Sequence, residues 1–191
     1  MAGNIESTLY DFRMLYYKLL EKDIPFLYER FDAAVEQSGF PEPAKMSLLE
    51  EMAMARDHLD GARQHMALAT SARAISEAYT GDYNVARYFT SLAKSLKREW
   101  ARGFFNLLNS DSFPPRNDVL VEAEMSRSRT EYANHSQDLV SGLLSLATVC
   151  AYARYEEGMR YFMKAAETES QGYAPIEPIR LSAIESILLN R

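Results

Sequence analysis

An all-α fold is what this 191-residue sequence predicts, and three observations predict it. Apolar residues recur every three or four positions, as in Val85, Phe89, Leu92, Leu96, Trp100 and Leu107, which is the spacing of one helix face. Glycine and proline are few, 8 and 7. They cluster at Gly39–Pro43, Ser110–Asn117 and Gln171–Pro178, where they break the periodicity. No stretch alternates β-branched and polar residues in the manner of a β-hairpin. A chain of this length buries roughly 70% of its unfolded surface, enough to fold without a metal or a disulfide.

Between the breaks the pattern places helices at about 5–21, 24–38, 44–80, 83–109, 118–153, 155–169 and 178–189, six or seven in all. Asp23 followed by Pro25 reads as a cap and an early helical proline, which separates the first two helices; Pro178 opens the last in the same way. The segments group as an N-terminal acidic helical segment (1–40), a first helical hairpin (41–110), a second (111–170) and a C-terminal capping helix (171–191), all within one compact domain.

The two long helices each run into a short turn and a shorter amphipathic helix, and the two halves align at an offset of 73 residues. The offset places Glu51-Met52 on Glu124-Met125, Arg56 on Arg129, Gln64 on Gln137, Ala78-Tyr79 on Ala151-Tyr152 and Arg87-Tyr88-Phe89 on Arg160-Tyr161-Phe162. An internal duplication of a helical hairpin accounts for these matches. The repeated Ala-Tyr and Arg-Tyr-Phe flank the turn, where an aromatic before it and a pair after it stack as the two helices meet.

Around each turn the residues resemble the middle of a tetratricopeptide repeat, with Tyr83, Ala86, Phe89, Thr90 and Ala93 in one and Tyr155, Gly158, Phe162 and Ala165 in the other. In that family small residues let paired helices approach while aromatics fill the wedge between hairpins. The likeness covers about 30 residues at each turn. It departs from the family in lacking the Trp-x2-Leu-Gly pattern, in lacking a closing proline, and in its 73-residue spacing. The resemblance implies binding to another protein. A plain helical bundle with convergent Tyr-x2-Ala packing accounts for the same residues.

Acidic residues outnumber basic ones 27 to 21, and the whole excess lies in residues 1–60, which hold 12 acids and 6 bases. A basic stripe of Arg87, Lys94, Arg98 and Arg102 occupies one helix face. An acidic chain repels nucleic acid at long range, so this stripe supports binding to phosphates only weakly and fits an acidic protein patch equally well; a solvated helix face accounts for the same residues. The longest apolar run, Gly142–Ala153, falls well short of the ~20 residues that span a bilayer. With no basic cluster preceding an apolar stretch at the N-terminus, a cytoplasmic location is expected. Cys150, the one cysteine, lies inside that run and reads as a small buried hydrophobe.

Chemistry is sparse. Glu51, His58 and His65 are spaced by seven on one helix face, and Glu131 and His135 by four on the other long helix. If those helices pack face to face, Glu51, His58, Glu131 and His135 form a carboxylate and imidazole set of the kind that holds iron or manganese. The Glu-x2-His pairs of four-helix iron proteins are absent, and the Glu-x6-His start that resembles haem oxygenase-like bundles lacks its later His-x3-Asp-x2-His. Arg129 and His135 fit the Arg-x4–6-His spacing of HEPN ribonucleases, in which arginine steadies phosphate charge and histidine moves a proton. Gly-rich phosphate loops, Gly-x-Ser-x-Gly, Cys-x2-Cys and His-Glu-x2-His are missing.

The expected function is therefore non-catalytic and needs no cofactor: an adaptor or stoichiometric inhibitor, of which an immunity or antitoxin protein is one form. Its N-terminal segment is acidic and rich in aromatics, and Tyr17, Glu29, Asp32 and Glu36 are the residues expected to meet a basic protein partner, with a second copy of the chain as the other occupant.

Overall fold

The computed structural model describes residues 40–96, 116–153, 155–171 and 175–189, together with Ala33, Val35 and Asn106. These form five helices: α1 (Glu42–Thr80), α2 (Tyr83–Leu96), α3 (Asp118–Tyr152), α4 (Glu156–Ser170) and α5 (Pro178–Leu189). No strand occurs among the described residues. The all-helical reading holds, and the described helix ends fall within two residues of those expected, except the C-terminal end of α2. The expected helices at about 5–21 and 24–38, and the extension of α2 towards 109, lie outside the described residues.

The chain divides into two compact units, Met1–Glu50 and Glu51–Arg191, and the division falls inside α1. In the first unit α1 opens at Pro41, whose carbonyl accepts from the N–H groups of Ala44 and Lys45. Leu48 is buried there, while Met46 and Leu49 are exposed.

In the second unit the helix ends follow from local chemistry. Gly81 closes α1 with φ +82°, a left-handed conformation that only glycine adopts without a Cβ penalty. Its N–H bonds Ala78 O and the next N–H, on Asp82, bonds Glu77 O, which satisfies two terminal carbonyls. Asp82 then caps α2, its Oδ1 accepting from Val85 N at 3.2 Å. Asn117 does the same for α3 through Leu120 N. Pro178 stands at the first position of α5, where its missing N–H costs nothing.

The core of this unit is a seam between α1 and α3. On α1 the buried residues Met52, Ala55, Leu59, Ala62, Met66 and Ala69 step by three and four, and on α3 His135, Leu139, Gly142 and Leu146 do likewise, with Ser128 one heptad before His135. This is the spacing of two helices meshed along one stripe. The helices run antiparallel, since Ala55–Ala69 face Gly142–Ser128 in reverse order through the contacts of Leu59 with Gly142, Ala62 with His135 and Ala69 with Ser128. α3 also packs against α4 and α5. In the α3–α4 contact Ser136 donates to Glu169 at 2.7 Å, and Gly158 lies against Cys150 Sγ. α2 returns along α1 far enough for the Arg73 guanidinium to sit over the Phe89 ring, 5.8 Å from its centre.

The 73-residue offset recurs in the coordinates. It carries Tyr83, the first residue of α2, onto Glu156, the first of α4, and carries Thr80 to within one residue of the end of α3. Ala78 and Ala151 are both buried, as are Phe89 and Phe162. Tyr88–Phe89 and Tyr161–Phe162 are both edge-to-face, with ring centres 5.5 and 5.3 Å apart. Along the seam the same offset relates Ala55 to Ser128, Ala62 to His135, Met66 to Leu139 and Ala69 to Gly142.

Close approach at the seam needs Gly142. A Cβ there would meet Leu59 Cγ at 2.7 Å and Cδ2 at 2.9 Å, and Leu59 is itself buried. Gly142→Ala therefore lowers unfolding stability by about 1–2 kcal/mol in urea titrations, overpacking outweighing the ~1 kcal/mol gain in helix propensity. A stabilised variant would show that Leu59 yields at no cost.

Candidate functional site

Polar side chains are concentrated along the middle of the α1–α3 seam. Heptad spacing puts His58 and His65 on one face of α1, and it puts Glu131 and Asp138 on the facing side of α3. His65 Nδ1 lies 2.6 Å from Glu131 Oε2. His58 Nδ1 lies 3.3 Å from Asp138 Oδ1. The second nitrogen of His65, Nε2, is 3.7 Å from Asp138 Oδ2. All four side chains retain some solvent access, from 42% for His58 down to 17% for Glu131. Gly61 makes room for Asp138, for a Cβ there would meet Asp138 Oδ2 at 2.5 Å.

His135 stands between these pairs and is different in kind. It is 1% exposed, and its Nδ1 lies 2.7 Å from the carbonyl of Ala62 on α1. A carbonyl only accepts, so Nδ1 carries the proton and the neutral ring is the Nδ1–H tautomer. Burial lowers the imidazole from its ordinary 6.5 to about 4; the bond to Ala62 opposes that, nearby His65 adds to it and Asp138 opposes it. About two turns earlier on α3, the Ser128 hydroxyl donates to Ala69 O at 3.0 Å. Two side chains of α3 thus bond directly to the backbone of α1.

The remaining reactive groups are also built into the packing. Cys150 is buried and free of disulfide, and burial pushes its thiol up to about 12, far from a nucleophilic thiolate. Glu169 is raised above the usual carboxylate range by burial, against the pull of the Ser136 hydroxyl.

The residues singled out from sequence are distributed as follows. Tyr17, Glu29, Asp32, Glu36, Arg98 and Arg102 lie outside the described residues. Arg87 is exposed and Lys94 half-buried on α2. The set Glu51, His58, Glu131 and His135 is not drawn together: His58 turns to Asp138, Glu131 to His65, and His135 to Ala62. Among the described residues no group of three or more His, Cys, Asp and Glu side chains is arranged to hold a metal ion. Arg129 is exposed and pairs with Glu122, whereas His135 is buried, so the Arg129 and His135 pair does not face a common substrate position. Asp138 and the pairing role of His65 were missed. The sequence offered their spacing, with Glu131 and Asp138 seven apart like His58 and His65 and related to them by the 73-residue offset, but not the register that pairs them.

No family profile, curated protein or solved structure matches this chain. Among the described residues no helix is long and apolar enough to cross a membrane.

Two outcomes follow from this geometry. His135 is neutral in the folded chain where the unfolded chain takes up a proton, so its contribution to stability is present above about pH 6.5 and is lost as pH falls towards about 4. The stability advantage of the native chain over His135→Leu, read from urea unfolding across that range, shrinks by about 3 kcal/mol; a constant difference would contradict the buried neutral ring. Cys150 stays unmodified by a thiol reagent in native buffer and reacts fully in denaturant, and rapid native labelling would show that the α3–α4 contact is open.

Proposed function

We propose that the chain is a non-catalytic helical binding module, an adaptor or a stoichiometric inhibitor of the immunity or antitoxin kind, that acts by forming a complex with another protein. The observation that carries this reading is the use made of reactive side chains: His58 and His65 bond across α1 and α3, His135 bonds the backbone of α1, and Cys150 is buried with a raised thiol. These groups hold helices together; His135 and Cys150, being buried, are not presented to a substrate. Exposed tyrosines meanwhile stand at both helix turns, Tyr83 at one and Tyr152, Tyr155 and Tyr161 at the other. Tyrosine combines a large apolar ring with a polar tip, and is favoured where a surface is to be covered by a partner.

In this reading the two helix–turn–helix units, α1–α2 and α3–α4, are duplicated tetratricopeptide-like hairpins. Matching turn positions at the 73-residue offset support it, as does the shared burial of Ala78 with Ala151 and Phe89 with Phe162. The acidic residues Glu29, Asp32 and Glu36 with Tyr17 meet a basic partner, and Arg87, Lys94, Arg98 and Arg102 form a secondary contact. Complementary charge sets the rate of encounter and the aromatics set the lifetime. The setting is the cytoplasm.

Gentle isolation from the native cells followed by native mass spectrometry tests the proposal. The expected result is a second polypeptide at fixed stoichiometry, lost when Glu29, Asp32 and Glu36 are together changed to lysine. A chain that runs alone would overturn the binding module, and a complex that survives the triple reversal would overturn the acidic surface.

A further inference from the structure

We propose that His58 and His65 form a proton-operated clamp between α1 and α3, in which protonation of the two imidazoles converts their hydrogen bonds to Asp138 and Glu131 into ion pairs and tightens the crossing. The decisive geometry is at His65. Its Nδ1 is 2.6 Å from Glu131 Oε2 and its Nε2 is 3.7 Å from Asp138 Oδ2, so a carboxylate stands at each ring nitrogen. A neutral imidazole has one N–H and serves one of them, leaving the other nitrogen's lone pair facing a negative oxygen. Only the imidazolium donates towards both. The proton comes from solvent, which reaches the ring through its 32% exposed side chain.

His58, about two turns earlier on α1, makes one such contact. Its Nδ1 faces Asp138 Oδ1 at 3.3 Å, so Asp138 lies between the two histidines. The 73-residue offset turns the His58–Asp138 pair into the Glu131–His65 pair, with the two helices exchanged. The clamp is therefore two-fold about the Ala62–His135 crossing, one pair on either side of it. Charge counting gives its direction: with both imidazoles neutral the carboxylates of Glu131 and Asp138 stand against two uncharged rings, and with both protonated the four charges balance.

The groups facing the two rings are accounted for on each element. α3 presents Glu131, Asp138 and His135. On α1 itself Glu51 is half-buried about two turns before His58 on the same face, Asp60 pairs with Arg63 at the surface, and Arg56 and Asp57 are exposed. Glu169 of α4 is turned to Ser136. Burial lowers the His135 imidazole to about 4, so near neutral pH it adds no opposing positive charge to the seam.

The test is a double-mutant cycle on the full chain, with His65→Gln, Glu131→Gln and the double variant unfolded in urea at about pH 8 and about pH 5.5, the range in which imidazoles ordinarily change charge. The expected result is a coupling between the two residues that grows at lower pH by about threefold or more in the folding equilibrium constant. A coupling that is the same at both pH values, or larger at pH 8, overturns the clamp. If either single variant does not fold, the same cycle on His58→Gln and Asp138→Asn takes its place with the same expected sign and the same overturning result.

Discussion

His135 reaches the Ala62 carbonyl because α1 and α3 are small where they cross. On α1 the small residues Ala55, Ala62 and Ala69 alternate with Leu59 and Met66, and on α3 Gly142 meets Leu59, His135 meets Ala62 and Ser128 meets Ala69. Burying side chains such as Leu59 and Met66 contributes about 1.5–3 kcal/mol each relative to exposure. That term is not directional. The hydrogen bonds from His135 to Ala62 and from Ser128 to Ala69 fix the register, because a slip of one turn leaves a buried imidazole and a buried hydroxyl facing nothing. Everything else in the second unit is hung on this crossing: α4 and α5 pack on α3, and α2 folds back onto α1.

The same crossing decides what chemistry the histidines are free to do. A buried neutral ring bonded to a backbone carbonyl is a structural group, and rings bonded to carboxylates across a seam are tethers. A carboxylate and histidine inventory that looks like a metal set along one helix becomes a set of interhelical bonds once the facing helix is in register. Binding through surface side chains remains the reading that uses what the fold leaves exposed, the tyrosines beside the two turns among them.

Much of the fold was legible in the sequence because helix limits are local facts. Gly81, Asp82, Asn117 and Pro178 each act within one turn of their own position, and the three-and-four spacing of apolar residues marks the faces. Pairing across helices is not local. Periodicity put His58 and Glu131 on facing helices but not in register, so His58 was matched with Glu131 and His135 when its partner is Asp138. Equally, Arg129 and His135 share a spacing that suits a phosphate site, yet six residues of helix turn them to different sides, one exposed and one buried. The 73-residue offset does not supply that register by itself, since any antiparallel alignment of the two segments brings one pair of equivalent positions together; the structure selects Ala62 and His135.

Nitrogen-15 NMR of the imidazole rings in the full chain measures the crossing most directly. The account predicts that at about pH 6 His135 is a neutral Nδ1–H tautomer whose ring proton exchanges slowly with water, as a buried donor to the Ala62 carbonyl requires. An imidazolium at that pH, or the Nε2–H tautomer with a rapidly exchanging proton, would contradict the crossing and the register that depends on it.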